Sequence, residues 1–123
     1  MILGIGIDMV KIDKFRGAIK KWGSSFVERI FNPEEVKGIS QGKMYYQRLA
    51  ARFAAKEAVI KAISKSIPLS FRDIIILNRT NGAPYCSFKK DTKADLILSI
   101  THIEDYAVAC AVAQKVQKKG LPK

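Results

Sequence analysis

One long helical pattern, from about Met44 to Ser64, constrains the fold of this chain more than any other feature. Leu49, Phe53, Ile60 and Ile63 recur at helical spacing and share one face. Ala50, Ala54 and Ala58 form a small-residue edge, which lets another element pack closely against the helix. At about 100° per residue, Lys56 falls inside the apolar stripe. A lysine there either snorkels its ammonium to water or serves a function. Glu57 and Lys61 are four residues apart beside the stripe, the spacing of an exposed ion pair.

The elements around this helix follow from shorter patterns. Ile2 to Asp8 reads as a buried strand, with Gly4 and Gly6 interposed among Ile2, Leu3, Ile5 and Ile7. Glycine inside a strand often marks close approach by another backbone or a ligand, and Asp8 stands at the strand's exit. Ile12, Phe15, Ile19 and Trp22 define one face of a first helix that stops at Gly23. Ser24 or Ser25 would cap a second short helix through Phe26, Val27 and Ile30. Asn32-Pro33-Glu34-Glu35 is a helix start with a capping-box glutamate, and that helix ends near Gly38. Ser40 to Lys43 reads as a loop. After Pro68 come strands at Asp73–Leu77 and Tyr85–Phe88, joined by the Asn81-Gly82 turn. Leu96–Ile100 and Tyr106–Val112 form a hairpin around His102-Ile103-Glu104-Asp105. The order is strand, helices, strands. It predicts an α+β fold with a mainly antiparallel sheet packed against the long central helix.

A chain of 123 residues is long enough for one core. The domain is read as residues 1–114, followed by a basic, frayed tail at 115–123. Lys and Arg number 22 against 11 Asp and Glu, a formal charge of +11, which favours an anionic partner. The two cysteines, Cys86 and Cys110, sit in apolar strand-like runs without metal-ligand spacing and read as reduced, buried thiols. The apolar start has no basic lead-in and meets Asp8 at once, too short for a signal peptide or a membrane span. A cytoplasmic protein without membrane contact is the expectation. RNA binding would use the charge together with Tyr45, Tyr46 and Phe88. It leaves Asp8 and Glu57 unexplained, since carboxylates repel nucleic acid, so no nucleic-acid partner is expected. A non-catalytic scaffold would likewise have no use for the carboxylates and lysines.

Asp8 and Glu57 are far apart in sequence but meet if the first strand packs on the long helix. Mg²⁺ takes one or two protein carboxylates and completes its shell with water and phosphate oxygens. Arg52, Lys56 and Lys61 would complement the remaining phosphate charge. Such a site works by charge neutralisation and positioning. His102, the only histidine, reads as a proton acceptor, a phosphate ligand or a turn residue.

Four segments then stand in order: Gly4-Ile5-Gly6-Ile7-Asp8; Arg52-Phe53-Ala54-Ala55-Lys56-Glu57-Ala58 with Lys61; Asn81-Gly82-Ala83-Pro84-Tyr85; and Ser99-Ile100-Thr101-His102. Together, over about Met1 to Val112, they resemble the short, single-domain branch of the 4′-phosphopantetheinyl transferases, the bacterial holo-[acyl-carrier-protein] synthases. The resemblance implies transfer of the 4′-phosphopantetheine arm of coenzyme A to a serine of apo-acyl carrier protein, as in fatty acid biosynthesis. The other product is adenosine 3′,5′-bisphosphate. It implies Asp8 and Glu57 as Mg²⁺ ligands, and Lys61 on the phosphates. Arg52 and Lys56 would bind phosphate or position the site. Gly82 and Pro84 would shape a loop beside the adenine nucleotide, with His102 near the cofactor. The serine proton would go to a metal-activated water, Glu57 or His102. The resemblance further implies a homotrimer with sites between subunits. An acidic carrier protein would dock on the basic first helix through Lys14, Arg16, Lys20 and Lys21. Here the chain departs from the family, whose helix carries arginines and apolar contacts, because lysines dominate and Ala18 is small.

Overall fold

Glycine and alanine decide how closely sheet and helix approach in this protein. In the computed structural model, which describes residues 1–39, 42, 44–63 and 67–116, the chain opens with strand β1 (Ile2–Lys11). Helices α1 (Ile12–Trp22), α2 (Ser24–Ile30), α3 (Pro33–Lys37) and α4 (Tyr45–Ile63) follow. After a single 3-10 turn (Phe71–Asp73) come β2 (Ile74–Asn78), β3 (Pro84–Phe88), β4 (Ala94–His102) and β5 (Tyr106–Lys115). One sheet has the order β1-β5-β4 and a second pairs β2 with β3; every pairing is antiparallel. The expected α+β fold is what forms.

The three-stranded sheet lies directly on α4. A Cβ on Gly4 would stand 2.0 Å from the Ala62 carbonyl oxygen, and one on Gly6 would stand 1.9 Å from that of Ala58. On β5, Ala107, Ala109, Ala111 and Ala113 are all fully buried on this side. Strand alternation puts the intervening residues on the far face. Ile5, Ile7 and Met9 are therefore exposed there, at 65%, 60% and 64%. Opposite Ile5 lies Val112, and opposite Val112 lies Ile97, itself 54% exposed.

Helix α4 is buried on more than the one predicted face. Leu49 and Ile63 are buried with the alanines at 50, 51, 54, 55, 58 and 62. The sheet covers one side, while β2 and α1 pack elsewhere. Ile74 and Ile76 join the cluster under the sheet, and Phe15, Ile30, Phe31 and Leu49 form a second cluster. Phe15 stacks on Phe53 with ring centroids 5.2 Å apart.

Several local expectations change. Trp22 is 60% exposed rather than part of the buried stripe. The Gly23 N–H binds the Ile19 carbonyl and the chain turns there with φ 68°, leaving Trp22 at a corner with the Lys21 ammonium 5.1 Å from its ring centroid. Gly23 also starts α2, so neither serine caps it; Ser25 Oγ donates back to the Trp22 carbonyl. Both cysteines are free and half-buried. Cys110 faces outward beside Ile7 and Ser99 in the register. Burial pushes the Cys86 thiol up to about 12, so it stays protonated. Strand β5 runs through Lys115, the first residue assigned to the tail. Ser64, most of the 40–43 loop and residues 117–123 lie outside the described residues.

Candidate active site

Close approach of β1 to α4 brings Asp8 to the helix. Asp8 follows Gly4 and Gly6 in the two-residue alternation and faces the same side. The Lys61 ammonium donates to Asp8 Oδ1 and to the Ile7 carbonyl, each at 3.0 Å. Lys61 therefore pairs with Asp8 and not, as its spacing predicts, with Glu57. Glu57, one turn earlier, shares with Asp8 a pocket of about 330 Å³ that Lys14, Phe15 and Phe53 also line. Burial raises the Glu57 pKa, the Asp8 carboxylate raises it further, and Lys61 opposes both. Asp8 thus meets a carboxylate and an ammonium that lie 49 and 53 residues further along the chain.

This donor set suits a hard divalent cation that keeps water and phosphate oxygens in its shell. Among the described residues, no group of three or more His, Cys, Asp or Glu side chains gathers in a metal-binding arrangement. Magnesium bound with a phosphate needs no such group.

A larger pocket, of about 650 Å³, is lined by Arg48 and Arg52 of α4, Asn78 of β2, Gly82, Pro84 and His102. Gly82 has φ 92°, which an L side chain resists. Its loop is fastened from within: Asn78 Nδ2 donates to the Gly82 carbonyl at 2.9 Å, and the Ala83 N–H donates to Asn81 Oδ1 at 3.0 Å. The Arg52 guanidinium donates to the Glu35 carbonyl and, at 2.9 Å, to Asn78 Oδ1. His102 ends β4 rather than sitting in the turn. Its partner in the register is Ala107, whose side chain is buried against the helix side. One helix serves both pockets: Arg52 and Glu57 are separated by an axial rise of about 7.5 Å.

Lys56 is the residue the structure takes away from the phosphate site. It is fully buried, and its ammonium reaches Glu35 Oε1 at 2.6 Å and the carbonyls of Ile30, Phe71 and Ile74 at 2.7–2.9 Å. All its protons are used inside the protein, so neither snorkelling nor phosphate binding remains open to it. Burial lowers the Lys56 pKa, while the hydrogen bond and charge of Glu35 raise it.

The four basic residues of α1 are all exposed. Lys14 borders the carboxylate pocket. Arg16 pairs with Asp13 and lies 5.9 Å over the Tyr46 ring. Sequence reasoning missed Arg48, although its four-residue spacing from Arg52 puts both on one helix face. It also missed Asn78, which nothing but its place at a strand end distinguishes; it read Glu35 as the capping-box glutamate, which it is, but not as the partner of Lys56.

The family model of the 4′-phosphopantetheinyl transferase superfamily matches residues 4–111. A holo-[acyl-carrier-protein] synthase of Caldicellulosiruptor saccharolyticus is 39% identical over 123 aligned residues, covering 94% of this chain and 98% of its own. The crystal structure of the synthase from Neisseria meningitidis superposes with a TM-score of 0.84 at 35% identity, covering 94% of this chain and all of that one. That of the Bacillus anthracis synthase, in complex with coenzyme A (3′,5′-ADP), superposes with a TM-score of 0.81 at 36% identity, covering 94% and 99%. With the glycine-flanked aspartate, the Lys-Glu helix and the Gly82 loop assembled as described, the chain belongs to the holo-[acyl-carrier-protein] synthase branch of the 4′-phosphopantetheinyl transferase superfamily.

Proposed function

We propose that this protein transfers 4′-phosphopantetheine from coenzyme A to a serine of apo-acyl carrier protein. The observation that carries the reading is the convergence of Asp8, Glu57 and Lys61 at α4, the helix that through Arg48 and Arg52 also lines a pocket large enough for a nucleotide. The serine oxygen attacks the phosphorus bonded to pantetheine. The bridging P–O bond breaks, adenosine 3′,5′-bisphosphate leaves, and the serine gives up its proton.

Asp8 and Glu57 would hold Mg²⁺ together with the diphosphate. When bound, the ion supplies charge neutralisation on the transferring and leaving phosphates. Lys61 exchanges its bond to Asp8 for the phosphate oxygens and neutralises developing charge there. Arg48, Arg52, Gly82, Pro84 and His102 bind the adenine nucleotide; His102 borders that pocket and not the carboxylate one, which argues for binding over proton removal. Glu57, acting through a water beside the carboxylate pair, is our choice of proton acceptor.

The exposed row Lys14, Arg16, Lys20 and Lys21 meets an acidic carrier protein, chiefly raising encounter rate and specificity. The apolar outer face of the sheet is the subunit interface of a homotrimer, the assembly the family resemblance implies. Residues 1–114 act as one catalytic domain, working in the cytoplasm. No described helix is long and apolar enough to cross a membrane.

Intact-mass analysis tests the reaction. An apo-acyl carrier protein incubated with this chain, coenzyme A and Mg²⁺ gains one phosphopantetheine, and EDTA prevents the gain. Folded enzyme that modifies none of several carrier proteins would refute the assignment.

A further inference from the structure

The walls of the nucleotide pocket meet at one buried carboxylate. Glu35 of α3 and Lys56 of α4 are each 0% exposed. Glu35 Oε1 accepts from Lys56 Nζ at 2.6 Å, from the Asn32 N–H at 2.8 Å and from Asn32 Nδ2 at 3.0 Å. Glu35 Oε2 accepts from the Ile76 N–H of β2 at 2.8 Å. Lys56 in turn holds the carbonyls of Ile30, Phe71 and Ile74. The Glu35 carbonyl takes a hydrogen bond from Arg52, and Arg52 continues to Asn78 and so to the Gly82 carbonyl. A continuous line of polar contacts therefore runs from the buried pair to the loop that lines the pocket.

Stability alone does not account for this pair. Replacing a buried ion pair by apolar side chains is often neutral or stabilising, because both charges lose their hydration. What an apolar pair lacks is direction: it cannot fix α3, α4 and β2 in one register. Only a carboxylate fits at position 35. Both of its oxygens accept, from donors on opposite sides. An amide accepts at one end only, so it turns a donor either on the Ile76 N–H or on the Lys56 and Asn32 donors.

We propose that Glu35, held by Lys56, is a positioning residue for nucleotide binding: it sets α3 and β2 across the pocket and so aims Arg52 and the Gly82 loop at the ligand. This rests on the reading of that pocket as the coenzyme A nucleotide site. A shift of about 1 Å at such contacts is enough for a large loss.

The test uses Glu35→Gln in the full chain beside Val59→Ala, a cavity variant under the sheet and away from the pocket. Calorimetry measures affinity for adenosine 3′,5′-bisphosphate, steady-state kinetics measure KM for coenzyme A and kcat, and melting reports stability. Glu35→Gln weakens the bisphosphate about tenfold and raises KM by a similar factor, with kcat within about twofold. Val59→Ala lowers the melting temperature and leaves affinity unchanged. Should Glu35→Gln fail to fold, the Glu35→Gln/Lys56→Met double variant removes the unpaired charge and still shows weak binding. Wild-type affinity in either Glu35 variant overturns the proposal, as does an equal loss of affinity in Val59→Ala. Wild-type protein that does not bind the bisphosphate overturns the nucleotide reading itself and the proposal with it.

Discussion

Glu57 is held in a setting that favours its protonated form. Burial and the Asp8 carboxylate both raise its pKa, against the pull of Lys61. A raised folded-state pKa means that the native state holds the proton more tightly than the unfolded chain does. Its stabilising contribution is complete below the ordinary value of 4.5 and is lost as pH rises through the folded value. At neutral pH the ionised group therefore works against the fold. Glu57→Gln should raise the melting temperature at pH 7 while cutting transfer by about 100-fold or more. In a carboxyl NMR titration the wild-type Glu57 midpoint should lie above 4.5, and Asp8→Asn should move it down. A midpoint that ignores Asp8 would show that burial alone sets it. The same scale shows how far a residue pattern reads. Lys56 stands out in the sequence as a lysine within an apolar stripe. Its explanation is Glu35, 21 residues away, with both side chains fully buried. Only the packing of α3 over α4 makes that pairing visible.

At the scale of elements, the contact between β1 and α4 sets the carboxylate site. Gly4 and Gly6 are written into the sequence as close-approach signals, and the alanine edge of the helix as its complement. The structure joins the two: Gly6 lies against the Ala58 carbonyl and near the Lys61 Cβ. A methyl group there must push strand and helix apart. Gly6→Ala should cost about 3 kcal/mol, and it should also weaken the proposed Mg²⁺ binding by separating Asp8 from Glu57. Denaturant unfolding and a metal titration on the same sample check both. Retained stability with retained metal affinity would mean that the contact relaxes elsewhere. Strand and helix limits were largely legible, since α1 and α3 follow their stop and start signals. The second helix was misread at its first residue because Gly23, read only as a stop, both ends α1 and begins α2.

For the whole molecule, the outer face of the three-stranded sheet is the outstanding feature. Ile5, Val112 and Ile97 form one apolar row across β1, β5 and β4. A contiguous apolar surface of this kind marks an association site. Ile5→Lys should leave the fold of each chain intact, because Ile5 is 65% exposed within it. On the proposed trimeric assembly, it should lower the mass from trimer to monomer and reduce transfer about tenfold or more, as expected if the site is shared between subunits. Sedimentation equilibrium decides the first point and the mass assay the second. A variant of unchanged mass would remove this face from the interface.

The sequence by itself determined the order of elements, the α+β class, the glycine and alanine contact surfaces, and the motifs that mark the family. These depend on short-range periodicity and on backbone chemistry, which a linear chain carries in full. The tertiary structure alone decided which polar side chains meet. It gave Lys61 to Asp8 instead of Glu57, closed Lys56 onto Glu35, and brought Arg48, Asn78 and His102 to one pocket. Periodicity reports the face on which a side chain stands. What stands opposite depends on how distant elements pack, and that distance in sequence is what hid these partners.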